Sequence, residues 1–297
     1  MRITLRQLEV FTAVADAGST TAAGERIALS QSATSAALKE LEHLLGARLF
    51  DRVGTRLALN DTGRAVLAQA RVVLDGAAGI EREFGQGVRG AKASAAAPLR
   101  VGASTTIGNY LLPGLIASWL KAAPGARVDV RIGNTAETAA AVVRLDVDLA
   151  FIEGPAHEPE LRLERWREDE LVVVAAPSHP LVRAGGRLGV AALREVPWLL
   201  REPGSGTREA VEQALLAHLR EPREGMQFGG TEAIKQAAAS GLGFACLSIA
   251  TVRELIALKK LVRVETTLPR LTRPLYLARH RAKRFSPTLE RFVAHCR

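Results

Sequence analysis

The 297-residue sequence has little cysteine, no patterned histidine and no long hydrophobic run. Its two cysteines, Cys246 and Cys296, are typical of a protein from a reducing compartment. We expect both to be buried or tail thiols, with a redox switch as the less favoured alternative. The six histidines are scattered and show no metal-ligand spacing, so we expect neither a metal nor a cofactor.

No apolar stretch is long enough to cross a membrane. The first residues, MRITLRQLEVF, predict an amphipathic helix that carries Glu9, unlike the charged segment and apolar run of a signal peptide. We therefore expect a cytoplasmic protein with no membrane partner.

Motifs of catalysis are missing as well. The sequence has no Gly-x-Ser-x-Gly elbow and no phosphate-binding Gly-Lys-Ser/Thr loop. Ser205 lies between two glycines, but no histidine is near it in the sequence. We expect no enzyme, and turnover of a small anion by the α/β part of the chain would overturn that expectation.

Positive charge is not concentrated where a nucleic-acid partner would most simply place it. The net charge of +9 favours an anionic partner. Residues 1–64, however, hold 8 Lys and Arg against 7 Asp and Glu, whereas residues 263–297 hold 9 against 2. The basic side chains of the second segment could lie near bent DNA, but a solvated face is the favoured interpretation. They include Arg279, Arg281, Lys283 and Arg284.

Residues 19–45 predict two short helices with a tight break between them. Ser19 and Ser30 are good N-caps for the two helices. The second helix has apolar positions at helical spacing, at Ala33, Ala37, Leu38, Leu41, Leu44 and Leu45. Its other face carries short donors, acceptors and one cation, namely Gln31, Ser32, Thr34, Ser35 and Lys39. Such a face suits a recognition helix in the major groove, although most polar helix faces only meet water.

The flanking segments favour the DNA-reading interpretation. A preceding helix presents an apolar stripe of Leu5, Leu8, Phe11 and Val14. Gly46 ends the second helix, and residues 46–63 predict a two-stranded wing. Arg52 and Arg56 lie near its tip, where they would contact phosphates.

Together these pieces resemble the LysR-type transcriptional regulators. The matching residues include Leu29-Ser30-Gln31-Ser32-Ala33, Leu49-Phe50 and Thr62-Gly63. The resemblance implies an α/β protein with an N-terminal all-α winged helix-turn-helix, a linker helix, and a two-lobed effector domain like periplasmic solute-binding proteins. It implies double-stranded promoter DNA as a partner, read by Gln31, Ser32 and Ser35. Backbone positioning is then expected from Ser30, Thr34, Lys39, Arg52 and Arg56.

A long helical segment follows from Asn60 to about Gly90, with Asp61 or Thr62 as its expected cap. Apolar residues recur at spacings of four and three, at Val66, Ala70, Val73, Ala77, Ile80 and Phe84. This seam predicts pairing of two chains, with a core helix as the alternative. A dimer would bind an interrupted palindrome, and the resemblance implies a homotetramer built as a dimer of dimers.

From about residue 98 strands and helices alternate, which predicts parallel α/β sheets. The expected division is 1–59 for the winged helix-turn-helix, 60–90 for the linker helix and 91–297 for the effector domain. Its first lobe would comprise 91–165 and 267–297, and its second lobe 166–266. A plain solute-binding protein is the disfavoured alternative, because the winged helix has no place in it.

Turns after the predicted strands are rich in hydroxyl groups, where free amides and helix dipoles suit anions. The candidate effector residues are Ser104, Thr105, Thr106, Asn134, Thr135, Arg201, Ser205, Thr207 and Thr231. Arg201 or Arg208 could pair with a ligand carboxylate, sulfate or phosphate, or Arg201 with Glu202 or Glu232. The plainer alternative is that these hydroxyls only cap helices. We expect a small anionic effector, and RNA polymerase is a further candidate partner.

Overall fold

A computed structural model describes residues 2–53, 56–84, 98–220 and 223–297. The chain divides into two compact units, Met1–Ala97 and Pro98–Arg297, which are described separately. No described helix is both long and apolar enough to span a membrane.

The first unit is three short helices, a hairpin and a longer helix. Its elements are α1 (Leu5–Ala17), α2 (Thr20–Arg26), α3 (Gln31–Leu45), β1 (Phe50–Val53), β2 (Arg56–Leu59) and α4 (Asp61–Phe84). The predicted caps are confirmed, because Ser19 and Ser30 accept backbone N–H groups of Ala22 and Ala33. β1 and β2 pair antiparallel, from Phe50↔Leu59 to Val53↔Arg56, and so form the predicted wing.

The first unit differs from the prediction in two details, one in its core and one at the cap of α4. Val10, Phe11 and Val14 of α1 are fully buried, whereas Leu5 is 48% exposed and lies outside the core. The cap of α4 is not Asp61 or Thr62. Instead, Asn60 accepts the N–H of Gly63 through its side chain, at 2.8 Å.

The turn between α2 and α3 requires Gly24. A Cβ at this position would lie 2.6 Å from the carbonyl oxygen of Leu29, so only glycine lets the two helices pack this closely. The tight break predicted from the sequence therefore has a steric cause.

The beginning of α4 belongs to the core of the first unit. Ala70 is only 2% exposed in the same cluster as Phe11, and Val66 packs partly buried against it. An ion pair of 2.6 Å joins Arg71 to Asp16 of α1. Ala70 is therefore an intramolecular core residue, and its prediction as a dimer contact is corrected.

Farther along α4 the apolar residues of the predicted seam are exposed or only half-buried. Val73 and Ile80 are 48% and 64% exposed, and Ala77 is half-buried. Phe84 is the last described residue of α4, and its side chain lies outside the described part of the structure.

The second unit has a seven-stranded sheet, a two-stranded sheet and helices that cover them. Its strands are β3 (Leu99–Ser104), β4 (Val128–Gly133), β5 (Leu149–Glu153), β6 (Leu161–Ala175), β7 (Trp198–Arg201), β8 (Glu224–Phe228), β9 (Ala245–Ser248), β10 (Val262–Arg263) and β11 (Leu271–His280). Its helices are α5 (Leu112–Ala122), α6 (Thr135–Val143), α7 (Pro180–Arg183), α8 (Val190–Glu195), α9 (Gly206–Val211), α10 (Ala217–Leu219), α11 (Thr231–Ala239), α12 (Ile249–Ala257) and α13 (Pro287–Cys296). π-Helical turns at Ile107–Leu111 and Glu212–Leu216 precede α5 and α10.

The large sheet is mixed rather than parallel, which corrects the prediction. β3 pairs parallel with β4 and β5. The long strands β6 and β11 run antiparallel from Leu271↔Leu171 to His280↔Leu161, and β9 and β10 also pair antiparallel with β6. The antiparallel pairing arises because β6 leaves the first lobe and β11 returns to it. β8 was not predicted, and it pairs parallel with β7.

Separate hydrophobic clusters fill the two lobes. Phe151, Trp119 and Phe292 form one cluster between β3, β5, α5 and α13. Trp198 and Phe244 form another around β7 and the far end of β6. The two chain crossings and the turns between these cores hold most of the buried polar side chains of this unit.

Candidate functional site

The polar face of α3 is presented at the surface of the first unit. Gln31, Ser32 and Lys39 are exposed, and Ser35 is half-buried. Gln31 donates its amide N–H to the hydroxyl of Thr20 at 3.2 Å, so α2 orients this side chain. The Ser30 and Ser32 hydroxyls lie 3.0 Å apart. The first turn of α3 therefore offers short polar groups of fixed orientation.

Thr34 is not part of this surface. Its side chain is fully buried, and its hydroxyl donates to the backbone carbonyl of Ser30 at 2.9 Å. The prediction of Thr34 as a phosphate contact is therefore corrected to a packing role beneath Gly24.

Arg52 and Arg56 are exposed on the wing. Among the described residues neither side chain has an ion-pair or hydrogen-bond partner, so both cations are available to an external anion. The intervening tip, Gly54 and Thr55, lies outside the described residues.

Three of the predicted effector residues surround a buried carboxylate in the second unit. Glu153, at the end of β5, accepts the hydroxyls of Ser104 and Thr207 at 2.9 and 2.6 Å. It also accepts the backbone N–H of Thr106 at 2.8 Å. Ser104 is the last residue of β3, Thr106 follows this strand and Thr207 lies on α9, so Glu153 ties the two lobes together.

Arg273 on β11 completes this cluster. Its guanidinium donates to Glu153 at 2.6 Å and to Asp169 on β6 at 2.8 Å. Burial by itself raises the pKa of Glu153, but the Arg273 charge and the three hydrogen bonds outweigh it and hold the pKa at about 2. A network that is ionised at neutral pH therefore lies where both chain crossings meet.

Arg201 is engaged within the protein. Its guanidinium makes two bonds of 2.7 Å to the carboxylate of Glu202 and one of 2.9 Å to the hydroxyl of Thr231. Glu202 in turn accepts the Asn134 amide of the other lobe at 3.4 Å. Of the two roles predicted for Arg201, this structure shows the internal pair.

Thr135 and Gly206 form a third contact between the lobes. The Thr135 hydroxyl donates to the Glu153 carbonyl at 3.0 Å and accepts the Gly206 N–H at 3.2 Å. A Cβ on Gly206 would lie 1.9 Å from the same carbonyl oxygen, so this glycine permits backbone contact between the lobes rather than approach to a ligand.

Beside this contact a cavity of about 480 Å³ opens between α6 and α9. Its lining includes Thr135, Ser205, Arg208 and the carboxylates of Glu158, Glu209 and Glu212. Thr105 lies elsewhere, half-buried, with its hydroxyl on the Gly133 carbonyl at 3.1 Å.

A fourth link between the lobes was not predicted. Tyr110 precedes α5, and its hydroxyl bonds Glu232 of α11. Lys235, only 5% exposed, donates to the Tyr110 oxygen at 2.7 Å and to Glu232 at 2.9 Å. Burial lowers the pKa of Lys235, but these two partners outweigh it and raise the pKa, so the lysine is charged at neutral pH.

Sequence reasoning missed the charged members of the cleft. Glu153 ends the otherwise apolar strand LAFIE, and Arg273 stands at an inward position of β11, where neighbouring inward residues are apolar. A charged residue at such a position indicates a buried ion pair. Nothing in the sequence pattern marks Tyr110.

The two thiols are buried and free. Burial raises the pKa of Cys246 to about 12 and that of Cys296 to about 11. Both are therefore protonated and unreactive at neutral pH, which disfavours the redox alternative. Among the described residues no group of His, Cys, Asp and Glu could hold a metal ion.

A capped helix-turn-helix with a wing, followed by two α/β lobes joined by paired crossings, defines a ligand-responsive DNA-binding regulator. Two family models match the chain: "Bacterial regulatory helix-turn-helix protein, lysR family" over residues 5–64, and "LysR substrate binding domain" over residues 92–297. The chain belongs to the LysR family of transcriptional regulators, and the predicted fold class is confirmed.

Individual relatives agree with this assignment. The uncharacterized HTH-type transcriptional regulator YeiE of Escherichia coli K12 is 46% identical, with 100% of this chain and 98% of the relative covered. Full-length OxyR of Pseudomonas aeruginosa is similar in structure, with 26% identity, a TM-score of 0.71 and coverage of 100% and 94%. The regulatory domain of Synechocystis PCC6803 CcmR in complex with 2-PG shares 29% identity and a TM-score of 0.61, covering 67% of this chain and 95% of that one.

Proposed function

We propose that this regulator binds a small anion between the two lobes of its second unit and thereby changes its affinity for promoter DNA. The observation that carries the proposal is the cluster of buried hydroxyls and cations at this position. Arg201, Lys235 and Arg273 are at most 5% exposed. They donate hydrogen bonds to the hydroxyl groups of Thr231, Tyr110 and Thr207, respectively. The ligand 2-PG in the CcmR regulatory domain supports a small-molecule effector.

The buried carboxylates decide how such an anion would bind. Glu153 already occupies the hydroxyls of Ser104 and Thr207, so these groups become available to a ligand only when the lobes shift. The proposed effector residues remain the nine predicted from the sequence, with Lys235 added as a cation. The arrangement of the two lobes would then differ between the free and the bound protein. Effector coupling requires such a difference.

For DNA we propose sequence-specific reading by Gln31, Ser32 and Ser35 in the major groove. Ser30, Lys39, Arg52 and Arg56 would hold the phosphate backbone. The exposed side chains Val73 and Ile80 support pairing of two chains through α4. We propose a homodimer that assembles further into a tetramer.

The remaining parts of the proposal follow from the family. The chain would act in the cytoplasm, without catalysis, and RNA polymerase is a candidate partner at the promoter. The functional division would be 1–59, 60–90 and 91–297, with lobes of 91–165 plus 267–297 and of 166–266.

The effector part is tested by melting the full-length protein in a series of sulfate, phosphate and small carboxylate salts at constant ionic strength. We expect one anion to raise the melting temperature in a saturable way and to change the affinity for promoter DNA. Thr231→Val should weaken binding of that anion at least tenfold, because it removes the hydroxyl that holds the Arg201 guanidinium at 2.9 Å. Thr267→Val, at an exposed site, is the matched control. The absence of saturable stabilisation by any of these anions would contradict the proposed anionic effector.

A further inference from the structure

A second cavity lies on the first lobe, away from the contacts between the lobes. It measures about 570 Å³ and opens between the β6–β11 ladder and α13. Its lining is Glu164, Leu277, Arg279, Lys283, Arg284, Phe285, Glu290, Val293, Ala294 and Arg297. This volume is within the range of pockets that hold small molecules.

Positive charge exceeds negative charge around this cavity. The single carboxylate of Glu164 is shared by Arg162, Arg279 and Arg297, at 3.6, 3.4 and 3.0 Å. Arg284 is exposed and has no ion-pair partner among the described residues. The lining thus holds three arginines, Arg279, Arg284 and Arg297, against the two carboxylates of Glu164 and Glu290, so the rim attracts a further anion.

The inner part of the cavity is apolar. Leu277 and Val293 are 4% and 7% exposed, and they close the inner end. The Arg279 guanidinium lies 5.5 Å from the centre of the Phe285 ring, within range of a cation–π contact. A flat aromatic face, aliphatic groups and a cationic rim are therefore present in one concave site.

We propose that this cavity, defined as the rim pocket, binds an organic anion with a planar apolar body, such as an aromatic carboxylate, a sulfonate or a phosphate ester. An inorganic ion would leave the apolar inner end unused. The Glu290 carboxylate selects against ligands with several negative charges, because it lines the same wall. The proposal does not depend on the identity of the effector between the lobes.

The probe for this site is 1-anilinonaphthalene-8-sulfonate, which combines an anion with a planar body and is fluorescent. The full-length protein without substitutions and two pocket variants of it are each titrated with the probe. Arg284→Glu reverses the unpaired rim charge and should raise the probe Kd at least fivefold. Ala294→Trp places an indole at an exposed position of the lining and should abolish saturable binding by filling the cavity.

Arg291→Glu is the matched control, because it makes the same charge change at an exposed position of α13 outside the lining. We expect its Kd to stay within twofold of the original. The proposal is overturned if both pocket variants also stay within twofold, or if Arg284→Glu and Arg291→Glu weaken the probe equally. It is likewise overturned if Arg284→Glu weakens the binding of duplex DNA but not that of the probe, since the surface would then contact DNA phosphates.

Discussion

At the residue scale, Glu153 shows why a buried charge can be essential to a binding domain. The carboxylate is 2% exposed, and its negative charge is balanced by Arg273. Removing one partner of a buried pair leaves the other uncompensated, which is costly even where the intact pair adds little. Glu153 also holds three groups from two lobes, so its removal should affect their connection as well as stability.

Glu153→Gln should therefore lower the free energy of unfolding at pH 7 by about 3 kcal/mol. Because the folded pKa of about 2 lies below the usual value of 4.5, the ionised carboxylate stabilises the fold above pH 4.5. That contribution is lost as the pH falls from 4.5 towards 2. Urea unfolding between pH 7 and pH 2.5 measures the difference between original and variant.

The control for this experiment is Glu254→Gln at an exposed site of α12. At every pH it should lower the free energy of unfolding by less than about 0.5 kcal/mol, as is typical of surface substitutions. A constant difference between Glu153→Gln and the original protein down to pH 2.5 would contradict the pKa argument.

The same scale marks the limit of sequence reasoning. Gln31 and Ser32 were correctly predicted to be exposed, because both are polar residues of the first turn of α3, and helical periodicity places Ser32 opposite Leu41. Thr34 was misplaced, since neither its polarity nor its spacing shows that its hydroxyl bonds the Ser30 carbonyl. Partners such as Glu153 and Arg273 are 120 residues apart in sequence, and local patterns carry no information on that pairing.

At the element scale, the link between Tyr110 and α11 controls how easily the lobes separate. Tyr110→Phe removes the hydrogen bonds of the Tyr110 hydroxyl to Glu232 and Lys235. It keeps the aromatic ring, whose centre lies 5.1 Å from the Lys235 ammonium. We expect faster amide exchange in α11 and in the turn before α5, measured by hydrogen exchange and mass spectrometry.

Tyr276→Phe serves as the control, because Tyr276 lies on β11 in a different cluster. Its exchange in α11 should equal that of the original protein. Unchanged exchange in the Tyr110→Phe protein would show that the other contacts alone hold the lobes.

The exposed half of α4 gives a prediction about assembly. Val73→Asp together with Ile80→Asp should reduce dimerisation at least tenfold, because both side chains are exposed on the predicted seam. Ala68→Asp changes an exposed position on another face of α4 and should leave assembly intact. Analytical ultracentrifugation over a dilution series distinguishes these outcomes. A double variant that stays dimeric at nanomolar concentration would place the interface elsewhere.

Element types were easier to predict than sheet direction. The strands Leu99–Ser104, Val128–Gly133 and Leu149–Glu153 alternate with helices, as predicted from about residue 98 onward. Alternation of strands and helices suggested parallel pairing throughout. The long strands β6 and β11 contradict this, because they carry the chain from one lobe to the other and back.

At the scale of the whole molecule, the two units supply the two halves of the proposed switch. The first presents a polar helix face and two free arginines, and the second presents buried polar groups between two lobes. The first half does not depend on a strongly basic domain, since residues 1–64 hold 8 Lys and Arg against 7 Asp and Glu. Specificity should then come from base contacts, with modest non-specific affinity.

Selection of genomic DNA fragments by the full-length protein, followed by sequencing, tests this account most directly. The original protein should enrich an interrupted palindrome, because paired chains present two α3 helices. Gln31→Ala with Ser35→Ala should lose that enrichment while melting at the same temperature, and Glu40→Ala, on the opposite face of α3, should keep it. Enrichment of the same palindrome by the Gln31 and Ser35 double variant would contradict the assignment of α3 as the DNA reader.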